Sequence, residues 1–257
     1  MKVHYGVDVV NDSPVLRLAA PHLPDETAAV ERLPFTVTVA RSDEQLRKAV
    51  AVRHAAYARH VPAFAERMKD PERCDLEDGV VVLLAESKLD GSPLGTMRIE
   101  TNRYRPLALE QSVELPDWLQ GCSLAGASRL GVALGRIGRV VKTVLFKAYF
   151  RYCEQVGIDW MVIAARAPLD RQYDALLFRD VFPEQGFIPL RHASNIAHRV
   201  LAFEVETAQQ RWSAAHHPLY DFFCRTHHPD LDLPREAPFY DAVMQPGTPV
   251  YGAQGAQ

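Results

Sequence analysis

Residues 127–157 read Ala127-Ser-Arg-Leu-Gly-Val132, then Ala-Leu-Gly-Arg-Ile-Gly-Arg139, and then a long segment from Val140 to Gly157. The first part is short and apolar, which indicates a buried strand. The last part repeats apolar residues at 141, 144, 145, 148, 149, 152 and 156, which is helical spacing. A core strand therefore leads through a turn with two glycines into a long helix. Free backbone N–H groups and the positive end of the helix dipole meet there, so the junction suits an anion such as a pyrophosphate.

Cationic side chains are concentrated in this unit, although the chain has a formal net charge of −3. A helical wheel places most of the helix cations opposite the apolar stripe. Such a face can simply be solvated, and many strand–turn–helix units bind nothing. The clustering nevertheless favours a phosphate-rich or acidic partner. The six cations are Arg129, Arg136, Arg139, Lys142, Lys147 and Arg151.

The composition is that of a globular protein, with 47 % hydrophobic and 24 % charged residues in a chain of 257. That length allows one domain with appendages or two small domains. A net charge near zero argues against general nucleic-acid binding. No apolar run approaches the roughly 18 residues of a membrane span.

The cysteines and the first residues indicate a cytoplasmic protein. The four cysteines are far apart and form no Cys-x-x-Cys pair, which is typical of reduced thiols. The start of the chain, Met1 to Ser13, lacks a basic region followed by an apolar one, so we do not expect secretion.

The order of predicted elements indicates an α+β fold with a central mixed, mostly antiparallel sheet flanked by helices. Ser42, with Glu44 and Gln45 after it, has the pattern of a helix-capping box. The connection 101–122 is long enough to be a functional loop or lid. We divide the chain into an N-terminal arm (1–33), a main domain (34–206) and a C-terminal helix with a Pro- and His-rich tail (207–257). Strands are predicted at 35–40, 80–85, 94–100, 124–132, 159–165 and 199–205, and helices at 42–59, 62–70, 140–157, 168–182 and 207–212.

Several short motifs occur in an order that points to a known superfamily. They are Arg53 with Tyr57, Asp75 with Asp78, Gly95-Thr-Met-Arg98-Ile, Ser128-Arg129-Leu-Gly-Val, and a tail with Pro218-Leu-Tyr-Asp-Phe-Phe and His228-Pro-Asp-Leu231. In this order the chain resembles the GNAT superfamily over roughly residues 34–206, and the tail motifs, which lie beyond that range, resemble the N-acyl amino acid synthases. More narrowly it resembles the acyl-carrier-protein-dependent branch, which contains FeeM-type N-acyl amino acid synthases and the related acyl-homoserine-lactone synthases.

The sequence departs from that branch at three places. Gly126 stands where the lactone synthases carry a glutamate, and their N-terminal tryptophan is not evident. The GNAT Arg-x-x-Gly-x-Gly turn appears only as a loose variant, Gly135 to Arg139. These departures favour an N-acyl amino acid synthase over a lactone synthase, and an acyl-carrier-protein donor over free coenzyme A.

The resemblance implies transfer of a long-chain acyl group from acyl carrier protein to the amine of an amino acid. The co-substrate would be a 4'-phosphopantetheine thioester on that carrier, or acyl-CoA, with no tightly bound cofactor and no metal. The basic helix face would meet the acidic carrier. The predicted donor-binding residues are Leu130, Val132, Gly135, Arg136, Gly138 and Arg139.

Amide formation from a thioester needs a deprotonated amine, a polarised carbonyl and a held leaving thiol. The candidate catalytic residues are Glu100, Ser128 and Arg129. Glu100 is the first choice for the base because it ends a core strand beside the predicted thioester site, although a solvated strand end fits equally well. Water or a backbone carbonyl can relay the proton instead, and His192 and His198 are alternatives.

Two further clusters have open interpretations. Arg53, Asp75, Asp78 and Arg98 are predicted to form an ion network that shapes the acceptor pocket, where an arginine binds a carboxylate in bidentate fashion. A purely structural cluster is the alternative. The second group consists of four histidines, His216, His217, His227 and His228. No ligand spacing supports a metal there, so we predict that they lie on the surface.

Two rival functions remain beside the synthase. A lactone synthase is the nearest enzyme. The other is not an enzyme but a binding module, a GNAT-like domain that docks a carrier protein or lipid without turnover. This alternative stays open because Gly126 stands in place of the acidic residue.

Overall fold

A computed structural model of the chain describes residues 29–234. The first 28 residues of the predicted arm and the tail beyond residue 234 lie outside the described residues. The described part contains a nine-stranded sheet and a separate two-stranded pair. The strands are β1 (Ala29–Val30), β2 (Phe35–Val39), β3 (Val80–Ser87), β4 (Pro93–Thr101), β5 (Leu124–Val132), β6 (Trp160–Ala165), β7 (Arg179–Asp180), β8 (Ile188–Leu190), β9 (Ile196–Glu204), β10 (Thr226–His227) and β11 (Leu231–Asp232).

The large sheet is mixed and mostly antiparallel, as predicted. Its order is β11-β2-β3-β4-β5-β6-β9-β7, and β8 pairs with β9. Neighbours from β2 to β5 are antiparallel, β5 and β6 are parallel, and β6 and β9 are antiparallel again. The α helices are α1 (Asp43–Ala58), α2 (Pro62–Ala65), α3 (Gly135–Val156), α4 (Asp170–Ala175) and α5 (Ala208–Ala214). The α+β class predicted from the sequence is confirmed.

Helix α1 begins where the sequence predicts. The Ser42 hydroxyl accepts a hydrogen bond from the Gln45 backbone N–H at 3.2 Å. The Gln45 side chain reaches back to the N–H of Arg41, at 2.8 Å, instead of the N–H of Ser42. The capping box is therefore modified: its second hydrogen bond comes from the N–H of the residue before the cap.

The two faces of the sheet are covered differently. On one face α3 packs against β3 through Val81 and Leu83, in the largest core cluster. On the other face α1 packs against Val82 and Leu84. Leucines of the connection 102–122 pack against Trp160 and Val162 of β6, so this long loop is part of a second core. The alternation along β3 assigns each helix to its own face.

Strand β5 has two irregularities, a bulge opposite β4 and an early end to its pairing with β6. The ladder with β4 shifts register between Thr96 and Arg98, where β5 carries one extra residue. Arg129 lies in this bulge with φ of 55°, in the left-handed region that non-glycine residues seldom adopt. The parallel pairing with β6 covers only Leu124 to Gly126, so the two strands separate beyond Gly126.

Some predicted bounds differ from the structure. Helix α3 already begins at Gly135, so both glycines of the predicted turn lie in its first turn. A Cβ on Gly138 would overlap the carbonyl oxygen of Ala133, which explains the need for glycine. The helix predicted over 168–182 was wrong in length: α4 ends at Ala175, and Leu177 has φ of 69°. The chain then extends into β7, which pairs with β9.

The segment after α5 folds back onto the domain. Lys147 of α3 was predicted on the solvent-facing side, but only 2 % of it is exposed. Its ammonium donates to the carbonyl oxygens of Phe222 and Thr226 and lies 2.8 Å from His228 Nδ1. His228 was predicted on the surface and is also buried. Both predictions were wrong because the sequence does not show that residues 221–232 return to α3. Within the described range, no helix is long and apolar enough to cross a bilayer.

Candidate active site

A short 3-10 helix before β3 supplies two carboxylates to the site. The helix spans Arg73–Leu76 and is preceded by Glu72 as its cap. The Asp75 side chain accepts from the Glu72 N–H at 2.8 Å, which fixes both residues relative to each other. Asp75 is buried and Glu72 is partly buried.

Arg53 connects α1 to this turn. Its guanidinium is bidentate to Asp75, at 3.0 and 2.8 Å, and its side chain is 2 % exposed. Burial would raise the pKa of Asp75, but the hydrogen bond and charge of Arg53 and the charge of Arg98 lower it overall. Helix α1 comes this close to β5 because Gly131 has no side chain: a Cβ there would lie 2.8 Å from the Arg53 Cα.

Arg98 of β4 is the centre of the network. Its Nε lies 2.9 Å from Glu100 Oε1 and 3.2 Å from Ser128 Oγ. Its Nη1 donates to Glu72 at 3.1 Å and to Asp75 at 3.2 Å. Burial lowers the pKa of Arg98, but the nearby carboxylates, Glu100 foremost, raise it overall.

Arg129 projects from the bulge to the same carboxylate turn. Its Nε and Nη2 contact the two oxygens of Glu72 at 2.6 and 2.8 Å. Its guanidinium also lies 5.4 Å from the centre of the Phe64 ring. The ion pair holds the side chain of a residue whose backbone is strained, so the bulge and the network support each other.

The network is balanced in charge, with three arginines facing three carboxylates. The predicted link between Arg53, Asp75 and Arg98 is present, and the catalytic candidates Glu100, Ser128 and Arg129 join it. Asp78 lies in the turn before β3 and does not line the cavity described next. The sequence did not lead us to Glu72. The feature that could have indicated it is its spacing of three residues before Asp75, which is the spacing of a helix-capping box.

A cavity of about 680 Å³ opens where β5 and β6 separate. Its polar wall contains Glu72, Arg98, Glu100, Ser128 and Arg129. The residues that contribute apolar walls include Leu107, Leu109, Leu130, Val162, Leu169 and Ile196. The long connection therefore lines the cavity, as expected of a functional loop.

Most of the predicted donor-binding residues lie outside this cavity. Leu130 lines it, whereas Val132, Gly135, Arg136, Gly138 and Arg139 do not. Gly135 has φ of 84°, and Arg136 and Arg139 are exposed on the first turn of α3. The structure separates them from the network by the remainder of β5.

The predicted cluster of six cations is largely dispersed, and this prediction was wrong. Arg129 is paired with Glu72, and Lys147 is buried against the C-terminal segment. Lys142 donates to Gln172 at 2.6 Å, and Arg151 pairs with Glu154 at 2.9 Å. Two exposed cations remain at the start of α3, Arg136 and Arg139.

Two histidines and a tyrosine complete the cavity wall. His192 and His198 line it from the β8–β9 region, and Tyr57 lines it from α1. Burial raises the pKa of Tyr57, although the charges of Arg129, Arg53, Arg166 and Arg98 oppose this, so the hydroxyl keeps its proton at neutral pH. No group of three or more potential metal ligands occurs within residues 29–234.

The mixed sheet, with its bulged strand and the opening between two parallel strands, has the GNAT fold predicted from the sequence. Among solved structures, the chain is similar to FeeM, an N-acyl amino acid synthase from uncultured soil microbes, with a TM-score of 0.54 and 17 % identity over 73 % of this chain and 97 % of that one.

A second solved structure is BjaI, a CoA-dependent acyl-homoserine lactone synthase with SAM and isopentyl-CoA; it has a TM-score of 0.48 and 15 % identity over 78 % of this chain and 90 % of that one. No protein-family model matches the chain, and no curated protein matches its sequence. The fold assignment rests on the FeeM structure, and at such identity the similarity establishes the fold alone.

Proposed function

We propose that the chain is an N-acyltransferase that moves a long-chain acyl group from a thioester to the amine of an amino acid. The donor is the 4'-phosphopantetheine arm of acyl carrier protein, with acyl-CoA as the alternative. The observation that carries the proposal is the cavity at the separation of β5 and β6, which joins a charged wall to an apolar one. Similarity to FeeM in fold supports the same reaction class.

The free edge of β5 suits the pantetheine arm. Beyond Gly126, β5 has no partner strand on the β6 side within the described residues. An extended arm with amide groups pairs with such an edge as an added strand does. Backbone N–H groups from Arg129 to Val132 are then placed to receive the thioester carbonyl.

The apolar wall suits the acyl chain. Leu107 and Leu109 come from the long connection and Ile196 from β9, so two separate parts of the chain contribute to this wall. The volume lies within the range of roughly 300–1,000 Å³ of ligand pockets. Burial of successive methylene groups there contributes about 0.8 kcal/mol each.

Glu100 remains the catalytic candidate from the sequence. Its Oε1 accepts from Arg98 Nε and from the Ser128 hydroxyl, at 2.9 and 3.3 Å. These contacts orient the carboxylate toward the cavity that it lines. In this proposal Ser128 positions Glu100, and Arg129 holds the bulge through Glu72.

A non-catalytic carrier-binding module is the second candidate. The observation in its favour is that Glu72, Asp75 and Glu100 are all engaged by arginines, while Gly126 provides no acid. In such a module the network would be structural and the cavity would only store an acyl chain.

An assay with purified protein separates these functions. The protein is incubated with an acyl-carrier-protein thioester and a mixture of amino acids, and the products are analysed by mass spectrometry. Formation of an N-acyl amino acid is expected, and a thioester that stays intact would overturn the proposal. Capture of the carrier protein without any product would support the binding module. A lactone that forms only when S-adenosylmethionine is added would instead indicate a lactone synthase.

A further inference from the structure

Arg166 differs from the other arginines of the cavity. Arg98 and Arg129 are bound to Glu72, and Arg105 forms an ion pair with Glu77. Arg73 is within 4.0 Å of Glu77 as well. Among residues 29–234, Arg166 is the cavity-lining arginine without a carboxylate partner, so no ion pair offsets its positive charge.

The backbone of Arg166 is fixed at the end of β6. Arg166 follows the last residue of β6, and its carbonyl oxygen accepts from the N–H groups of Leu169 and Asp170, at 2.8 and 3.2 Å. These bonds anchor it at the start of α4. The residue is half-buried and faces the opening between β5 and β6. An arginine that lines the cavity without a carboxylate partner is suited to bidentate binding of a carboxylate or phosphate.

His198 provides a free base near the same charge. Its Nδ1 lies 2.7 Å from the carbonyl oxygen of Ile196, which can only accept, so Nδ1 carries the proton. Nε2 therefore has the lone pair. Burial lowers the pKa of His198 and the charge of Arg166 lowers it further, although the Ile196 contact opposes them. The imidazole is accordingly neutral at pH 7.

Other charged groups of the cavity lie around His192, the neighbouring histidine. The pKa of His192 is lowered by partial burial, by the His198 ring and by the charge of Arg129, and the charge of Glu100 opposes this. Its Nδ1 lies 2.8 Å from the Ser112 hydroxyl, which donates to the Ala108 carbonyl, so this ring serves to hold the long connection. His198 makes no such side-chain contact in the described part of the chain.

We propose that Arg166 and His198 form the acceptor subsite: Arg166 binds the α-carboxylate of the amino acid, and His198 Nε2 takes the proton from its ammonium group. The amine nitrogen then attacks the thioester carbonyl, and the new C–N bond forms as the C–S bond breaks. The nitrogen loses its second proton to the leaving thiolate, which departs as the thiol, and His198 releases the first proton to solvent. This inference rests on the proposed function and names its acceptor as an amine that carries a carboxylate. Glu100 is replaced as the base, and the Arg98 network is left to shape the pocket.

Binding and kinetics test the carboxylate site together. Arg166→Gln is compared with Arg166→Lys and with Arg191→Gln, whose arginine is exposed and outside the cavity lining. For Arg166→Gln, the calorimetric Kd and the KM of the amino acid should rise at least about tenfold. The values for the matching amino-acid carboxamide should not change. Arg166→Lys should recover part of the loss, and Arg191→Gln should behave as the wild type.

The outcomes distinguish the source of the bound anion. A rise in the KM of the thioester donor, with the amino acid unaffected, would mean that Arg166 binds the donor's phosphate, and would overturn the acceptor assignment. No change in either would overturn it too. If the wild type makes no amide, the proposed function fails, and calorimetry with the amino acid still decides the carboxylate site.

The pH profile tests His198. In the wild type, kcat/KM should fall as the pH drops through the pKa of His198, which lies below 6.5. Arg166→Gln should move this acid limb to higher pH, since it removes a charge that lowers the pKa. His198→Gln should abolish the limb and reduce kcat at least about 100-fold. An acid limb that disappears in Glu100→Gln and persists in His198→Gln would assign the base to Glu100 instead.

Discussion

Glu72 is the residue on which the ion network depends, because one carboxylate contacts three guanidinium groups. It accepts from Arg129 at 2.6 and 2.8 Å and from Arg98 at 3.1 Å, and it lies 3.6 Å from Arg53. Burial would raise the pKa of Glu72, but the Arg129 hydrogen bond and the three positive charges lower it overall. Without this charge, three arginines would share two carboxylates.

Glu72→Gln should therefore lower the free energy of unfolding by about 3 kcal/mol, which is near the lower end for breaking a buried ion pair because Glu72 keeps some exposure. Urea denaturation measures the change. Glu66→Gln is the matched control, since Glu66 pairs with Lys69 on the surface, where both side chains are more than half exposed. Equal losses in the two variants would contradict the assigned role of Glu72.

The same carboxylates give stability a dependence on acid pH. The pKa values of Glu72 and Asp75 in the folded state lie below their ordinary values of 4.5 and 3.8. The stability they contribute is therefore complete well above those values and is lost as the pH falls through the lower folded ones. Between about pH 5 and pH 3, the wild type should lose more unfolding free energy than Glu72→Gln does. Parallel curves would contradict this linkage.

Single residues of the site were predictable when a local pattern carried them. Arg98 and Ser128 stand in strand motifs, and Arg53 stands on a helix with a clear cap, so each had a defined neighbourhood. Glu72 and Arg166 had no such pattern: Glu72 precedes a 3-10 helix, and Arg166 follows the end of β6, beyond its pairing with β5. Their significance comes from tertiary placement, which periodicity does not report.

At the scale of elements, the approach of α1 to β5 positions the network. A Cβ on Gly131 would lie 2.8 Å from the Arg53 Cα and 3.1 Å from the Ala56 Cβ, so Gly131→Ala should push the helix outward. We expect a loss of about 1–3 kcal/mol in unfolding free energy and a raised acceptor KM. For the unfolding free energy, Gly126→Ala in the same strand is the control, because its Cβ would meet Leu107 at an ordinary 3.5 Å. Equal effects would show that close packing at Gly131 is not the cause.

Helix α3 shows which properties of an element the sequence determines. Its existence and its end at Gly157, where φ is 68°, follow from the apolar spacing and a C-terminal glycine. The environment of Lys147 does not follow, because a cation at a polar position of the wheel is normally solvated. Carbonyl groups from a segment about 75 residues further along the chain replace the water there.

At the scale of the whole molecule, the C-terminal segment closes the fold. β11 pairs with β2 at the sheet edge, and β10 pairs with β1. Lys147→Met removes the donor that satisfies two buried carbonyl groups, so the segment should loosen while the sheet remains folded. Hydrogen exchange should increase at 221–232 and along β2, and stay unchanged in β4 and β6. Uniform acceleration would mean global destabilisation instead, and no change would exclude Lys147 as an anchor.

Docking of a carrier protein is the remaining property of the whole surface. Arg136 and Arg139 are exposed at the start of α3, beside Leu134 and Val140, which are 72 % and 48 % exposed. A cationic edge around apolar side chains fits an acidic partner, and such charges mainly increase the association rate. Arg136→Glu with Arg139→Glu should weaken capture of immobilised acyl carrier protein and make the residual binding less sensitive to salt.

Surface plasmon resonance at low and physiological ionic strength measures this effect. Arg41→Glu with Arg67→Glu is the control, because it makes the same change in net charge at two exposed sites far from α3 in sequence. If only the Arg136→Glu, Arg139→Glu variant weakens binding, the carrier docks at the start of α3, where its arm can enter between β5 and β6. If both double variants weaken binding equally, the attraction is a general effect of net charge, and α3 is not the docking site.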